Sequence, residues 1–445
     1  MGLCWWDVSG YSGLIEDAHV TVGLVGSGLD NNRAREESRH VRVTTAFNKM
    51  LNVAGASVTG VAFTGDGIVV SIRSRSRIHR CPCGAKAPGY DHSQRRWRHL
   101  DLAANKLWLE ADVWRVSCRR CGRVRTEAVP WARPGARLTR DLEDVIAWLA
   151  QRSDKTSVCR LLRVSWQTVQ TAVMRLVADH LDTDRLNGIF HLGVDEISYK
   201  RGHHYLTVIA SHDTGRVLDV AIGRSAAALD GFFTKLGPER CAQIRAITMD
   251  MAPIWRDPCA RHIPQADICF DTFHLIRKAN QAVETVYSQT GRNQPAPANG
   301  REWRKTRYAL RAGAERLNDD HRRLINQLRR DRYALWRAWD LKEQLRDLFH
   351  NTAPDEAFDY LTAWCRSAER SRLRPFINLA RLIRRHFNGI IATVTHGLSN
   401  SRLEGINAKI RLINRRGYGH PNPHHLTAMI HLCLGGITIP LPTQT

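Results

Sequence analysis

The sequence predicts a multidomain α/β protein: a mixed sheet split by a helical insertion, preceded by a small cysteine-bearing module and a helix-turn-helix. Two cysteine pairs before residue 125 mark the first module, and a helical hydrophobic period follows to about His180. After Asn187-Gly188 the period becomes strand-like, which opens the sheet domain. At 445 residues the chain is longer than one core usually organises, so subdivision is expected.

Composition narrows the partners. Lys and Arg outnumber Asp and Glu by 66 to 43, a formal charge of +23. That exceeds what solubility needs, and phosphates reward clustered cations through counterion release, so double-stranded DNA is the expected partner. The eleven cysteines are odd in number, and Cys159, Cys241, Cys269 and Cys433 stand singly in apolar stretches. This fits a reducing compartment better than a disulfide framework. No apolar run reaches about 18 residues and no leader precedes a cleavage site, so the expectation is a cytoplasmic, nucleoid-associated protein with no membrane partner.

Residues 1–49 show no sustained period and read as an extension. Residues 50–130 begin with a hairpin, in which Val61 to Phe63 and Ile68 to Ile72 flank the turn word Gly65-Asp66-Gly67. The cysteine module follows, with Cys81-Pro82-Cys83-Gly84 at one end and Cys118-Arg119-Arg120-Cys121-Gly122 at the other. Four thiolates in two pairs can close a tetrahedral Zn2+ site on Cys81, Cys83, Cys118 and Cys121. The first pair has one intervening residue instead of the favoured two, which leaves open unpaired cysteines or a site completed by His79 or His92. In residues 139–182 the apolar positions Leu142, Ile146, Val158, Leu162, Val169, Val173 and Leu176 have helical spacing. Ser165 is placed to cap a second helix that presents Gln167, Thr168, Gln170 and Thr171, the arrangement of a helix that reads a groove; an ordinary helical pair shows the same pattern.

From residue 188 to 290 three strands, a helix and two more strands follow in the order of a ribonuclease H-like fold. The strand Ile189 to Asp195 and the strand Ile244 to Asp250 both end on an acid. Burying such acids is costly unless they share a cation. Residues 291–390 are helical and basic, with Trp303, Trp336, Trp339 and Trp364 at core-like spacing. Residues 391–445 bring a third acid, Glu404, in the first turns of a helix that Asn400 or Ser401 can cap, with Asn407 and Arg411 on its face.

These words together resemble the DDE transposases of bacterial insertion sequences, of the ISL-type family with a zinc-binding N-terminus. The matching stretches are the two cysteine knuckles, Gly193 to Ser198, Asp250-Met251, Asp271 to Ile276, Ser399 to Lys409, and Arg415 to Gly419. The resemblance implies that Asp195, Asp250 and Glu404 are catalytic and hold two Mg2+ (or Mn2+) ions. It also implies that Asp271-x-x-His274 is a supporting signature, in which His274 orients the scissile phosphate or satisfies a core hydrogen bond. Arg415 and Arg416 are expected to grip phosphate or to stand solvated. The implied activity is binding of terminal inverted repeats followed by strand cleavage and transfer into target DNA, in a homodimer or larger assembly. An inactive DNA-binding regulator and a metal-dependent nuclease are the alternatives. Asp271 also ends an expected strand, so it competes with Asp250 for the middle place.

Overall fold

A computed structural model describes residues 19–20, 41–181, 184–292 and 300–441. It divides into two compact units, residues 1–180 with 438–445, and residues 181–437.

In the first unit, helix α1 (Val43–Leu51) precedes the hairpin strands β1 (Ala56–Thr64) and β2 (Gly67–Ser74). Phe47 of α1 is buried against Val58, Val70 and Leu109, and Asn48 Oδ1 accepts the Val58 amide at 2.8 Å. The folded module therefore begins ahead of Met50. Strands β3 (Gly89–Arg98), β4 (Leu107–Cys118) and β5 (Arg123–Thr126) complete a sheet of order β1-β2-β4-β3, with β5 on β4 and a parallel pair β2·β4. Leu107, Leu109, Ala111 and Val113 alternate inward along β4, the period of two that a one-sided sheet requires.

Three helices follow: α2 (Arg140–Ala150), α3 (Lys155–Leu162) and α4 (Trp166–His180). Thr139 and Asp154 cap the first two through their side chains. The Arg133 guanidinium, 5 % exposed, binds Glu143, Asp144 and Asp179 at 3.1, 2.7 and 2.6 Å and so ties the approach segment to both long helices. Such a buried cation is tolerable only because its partners surround it.

The second unit is built on a five-stranded sheet. Strands β6 (His191–Lys200), β7 (His204–Ser211) and β8 (Val217–Ile222) form an antiparallel meander. Helix α5 (Ala226–Leu236) leads to β9 (Ala246–Met249), and α6 (Arg256–His262) leads to β10 (Asp267–Phe270). The order is β8-β7-β6-β9-β10, with β9 parallel to both neighbours, which is the expected ribonuclease H-like arrangement. One expectation changes. Asp195 does not end its strand, because β7 keeps pairing with β6 as far as Lys200 and His204.

Helix α7 (Thr272–Arg292) opens the helical insertion, which continues through α8 (Gly300–Arg311), α9 (Asp319–Asp331), α10 (Tyr333–His350), α11 (Ala357–Arg370) and α12 (Arg374–Arg385). The stretch Pro295 to Gly300 carries turn residues that point to a surface link at the start of the insertion; residues 295–299 lie outside the described residues and Gly300 opens α8. Trp364 is 2 % exposed and donates to the Leu341 carbonyl at 2.9 Å, while Trp303, Trp336 and Trp339 pack partly buried on the same core. These tryptophans are packing residues, as their spacing suggests.

The chain returns to the sheet with α13 (Phe387–His396), α14 (Ser401–Arg416) and α15 (Pro423–Leu434). Ile406, Ile410 and Ile413 of α14, with Leu426 and Ile430 of α15, bury Ile197, Leu206 and Val208 of the sheet. Leu192, Val194, Ile209 and Ile247 belong to the other large core, shared with the insertion. Both faces of the sheet are thus covered, as parallel pairing demands.

Candidate functional site

Register alone gathers the acids. Thr248 of β9 pairs with Gly193 of β6 in parallel, so two residues on, Asp250 comes level with Asp195. Met249 pairs with Phe270 of β10, so Asp271 comes level with Asp250. Three neighbouring strands therefore deliver carboxylates to one edge. Each is held by local backbone amides: Asp195 Oδ1 accepts from Glu196 N at 2.8 Å, Asp250 Oδ1 from Ala252 N at 2.9 Å, and Asp271 Oδ1 from Phe273 N at 3.0 Å.

Helix α14 brings the fourth acid. Asn407 is 5 % exposed and its Nδ2 donates to Asp195 Oδ2 at 2.7 Å, docking the helix on the central strand. Glu404, one turn earlier and exposed, faces the same edge, where its charge acts on Asp271. Arg411, expected beside Asn407, stays in solvent. Asn400 occupies the N-cap position but makes no side-chain cap; it is 2 % exposed, and Ser399 and Ser401 bond each other at 2.8 Å.

Burial pushes the Asp271 carboxyl above the usual range, with the Glu404 and Asp195 charges adding to the rise against the Phe273 amide and His274. Burial likewise raises Asp195, and Asp250 adds to the effect. Like charges held this close are mutually destabilising without a cation. Glu196 is also raised, first by burial and then by Asp250; its Oε1 pairs with Arg224 at 2.9 Å while Oε2 is buried without a partner. Glu196, Arg224 and the Asn407 contact escaped the sequence reading; only the adjacency of Glu196 to Asp195 could have flagged one of them.

A group whose pKa is raised by folding stabilises the fold below its unfolded value, near 3.9 for Asp, and loses that contribution as pH rises through the folded value. In metal-free protein, Asp271→Asn should therefore melt above wild type at pH 7–8, by roughly 2–4 °C for about 1 kcal/mol of relief, with the gap closing toward pH 4. Thermal melts in chelator check this.

His274 Nδ1 lies 3.2 Å from Asp271 Oδ2 with the side chain 34 % exposed, so the imidazole is paired yet reachable from solvent. Gly193 permits the crossing of β6 and α14: a Cβ there would fall 2.4 Å from Leu403 Cδ1 and 2.9 Å from His212 Nε2. Gly193→Val should displace α14, cost roughly 1–3 kcal/mol and reduce activity along with stability. Denaturant melts and a cleavage assay measure both. Arg415 and Arg416 sit exposed in the last turn of α14.

In the first unit the four cysteines do converge. Cys81, Cys83, Cys118 and Cys121 place all four sulfurs within 4.8 Å of one another. Cys81 Sγ lies 3.8 Å from Cys121 Sγ, and Cys83 Sγ 3.7 Å from Cys118 Sγ. A tetrahedron with Zn–S bonds of about 2.3 Å has edges of about 3.8 Å, so the set fits zinc. The shortened first knuckle closes because Gly84 takes φ +85° and donates to the Cys81 carbonyl at 2.8 Å. His79 is engaged by Glu127 at 2.7 Å, and the four thiols complete the cluster without it. Among the described residues no other group of three or more such ligands comes as close.

Ser165 caps α4 as expected, its Oγ accepting from Thr168 N at 3.1 Å, after Arg163 reverses the chain at φ +52°. Gln167 is exposed, whereas Thr168, Gln170 and Thr171 are half-buried and Thr171 Oγ1 donates to the Gln167 carbonyl at 2.8 Å. Trp166, 41 % exposed beneath the Lys155 ammonium, adds an aromatic to the start of the helix.

A zinc ribbon and a helix-turn-helix ahead of a split, acid-edged sheet define a DNA-binding transposase with a DDE domain. A family model described as Transposase, of the ISL3 type, matches residues 192–430. A model for the helix-turn-helix domain of transposase family ISL3 matches residues 127–177, and one for the zinc-finger of transposase IS204/IS1001/IS1096/IS1165 matches residues 77–121. The transposase for insertion sequence element IS1557 of Mycobacterium tuberculosis is 37 % identical over 407 residues, covering 85 % of this chain and 91 % of the relative. The transposase for IS1001 of Bordetella parapertussis is 27 % identical over 378 residues, covering 84 % and 93 %. The chain belongs to the ISL3 family of insertion-sequence transposases. Among the described residues no helix is long and apolar enough to cross a membrane.

Proposed function

We propose that this transposase binds the terminal inverted repeats of its element and catalyses strand cleavage and strand transfer at the edge formed by Asp195, Asp250 and Glu404. The observation that carries this reading is the parallel register of β6 and β9, which sets Asp195 level with Asp250, with Asn407 tying the Glu404 helix to the same edge. An all-oxygen donor set suits Mg2+ or Mn2+. Asp195, Asp250 and Glu404 would hold the ions, which when bound supply an activated nucleophile and stabilise the leaving oxygen.

The remaining groups position these acids. Asn407 and the Glu196 amide fix both oxygens of Asp195, and Asp271 with His274 supports the edge from β10 and the start of α7. The half-buried imidazole of His274 can donate through its other ring nitrogen to a scissile phosphate, and Arg415 and Arg416 can bind the backbone beyond it. On the first unit, Gln167, Thr168, Gln170 and Thr171 are the proposed base-reading positions, with Gln167 the most accessible. Two ends must be joined, so a homodimer or larger assembly on chromosomal DNA is proposed.

The test uses full-length protein, Mg2+ and DNA carrying an element end. Joined transfer products are expected. Nicks without joining would make the protein a nuclease, and binding without breakage would make it a regulator.

A further inference from the structure

A cleft of about 790 Å³ runs from Asp271 and Glu404 into the helical insertion. Its volume is in the range of small-ligand pockets, about 300–1,000 Å³, which suits one or two nucleotides and not a duplex. Its lining combines aromatic, amide and cationic side chains. Phe273, two residues past Asp271 and 54 % exposed, and Ile276 belong to it. Asn280, on the same helix, offers an Oδ1 that is buried without a hydrogen-bond partner. Exposed Arg311 and Arg316 stand on the insertion side.

An exposed aromatic face stacks a base, an unsatisfied amide reads a base edge, and arginines hold phosphate. Arg346, which also lines the cleft, is taken up by Glu315 and Glu343 at 2.7 and 2.8 Å, so it does not compete for a ligand. Asp271 is only 4 % exposed.

We propose that this cleft receives an unpaired nucleotide from the strand cut beside Glu404, with its base against Phe273, its edge at Asn280 and its phosphate toward Arg311. The proposal rests on the reading that the acidic edge acts on terminal DNA. Unstacking the base costs energy that the cleft returns, so the nucleotide next to the reacting phosphate is held out of the helix before chemistry.

The test uses full-length protein, Ca2+ in place of Mg2+, and element-end duplexes carrying 2-aminopurine at one position at a time across the cleavage site. Fluorescence should rise on binding at one or two adjacent positions. Phe273→Ala should cut that rise about fivefold or more, the loss of one base stack, while affinity for the duplex changes by less than about threefold. Phe273 is exposed enough to truncate without unfolding, and Asn280→Ala provides a second variant with the same expected loss. No rise at any position, or an equal rise in both variants, overturns the proposal. Joined products in Mg2+ without a captured base would sink the cleft alone. A captured base without strand breakage would sink the catalytic reading and leave the cleft standing.

Discussion

Asp195→Ala should reduce Mg2+-dependent strand cleavage by about 10³-fold or more while leaving affinity for element-end DNA within roughly threefold. The central strand positions Asp195 between Asp250 on one side and Asn407 on the other, and both of these partners act on its carboxylate directly. Removing a ligand from a two-ion site forfeits several kcal/mol of transition-state charge stabilisation, and each 1.36 kcal/mol is a factor of ten. The substitution relieves a buried like charge but also removes the acceptor of the Asn407 amide, so a thermal melt in chelator accompanies the assay and the loss of cleavage is read on folded protein. Cleavage near wild-type rate would remove Asp195 from the site.

The second large effect is on folding. Stripping zinc with a chelator, or replacing Cys118 by Ser, should unfold the two knuckles around Cys81–Gly84 and Cys118–Gly122 and weaken DNA binding by the first unit, while the sheet core around Leu107 and Leu109 stays folded. Structural zinc contributes about 10–16 kcal/mol in small modules at neutral pH. Here the apolar cluster around the thiols is small: Cys81, Ala87, Val116 and Cys118 are its buried members. That is too little surface to replace the metal. One zinc per chain by metal analysis, and loss of far-UV and near-UV signal on chelation, are the expected readings. Retained structure without zinc would make the cysteines a plain packing cluster.

Much of this architecture was legible in the sequence, for reasons that differ by element. The helix between the third and fourth strands is legible because Ala226 to Leu236 is an amphipathic stretch bounded by Ser225 and Gly237. The hairpin β1–β2 was announced by its turn word. The end of β6 was not, because Asp195 interrupts an apolar run and only pairing with β7 shows that the strand continues. Helix α1 was missed since its nine residues carry a single buried anchor, Phe47.

The site was legible as residue types and illegible as contacts. The three acids stand in short words separated by 154 residues between Asp250 and Glu404, and no local signal says which strand α14 lies against. The isoleucines at 406, 410 and 413 turn one stripe inward, carrying Asn407 with them. Both knuckles end in a glycine at positive φ, Gly84 at +85° and Gly122 at +66°, and the convergence of the four sulfurs across 40 residues is a contact that the spacing does not reveal.

The middle acid remains the sharpest point. Asp250 and Asp271 lie level at the ends of adjacent strands, Asp250 beside Asp195 and Asp271 one strand further out, and Asp271 is the one that feels Glu404. The most direct measurement compares Mg2+-dependent cleavage of element-end DNA by Asp250→Asn and Asp271→Asn, with Mn2+ as a second metal. If Asp250 is the ligand and Asp271 a support, Asp250→Asn loses cleavage in both metals, while Asp271→Asn keeps measurable cleavage that Mn2+ improves. Cleavage retained in Asp250→Asn and lost in Asp271→Asn would contradict the assignment and move the metal site one strand over.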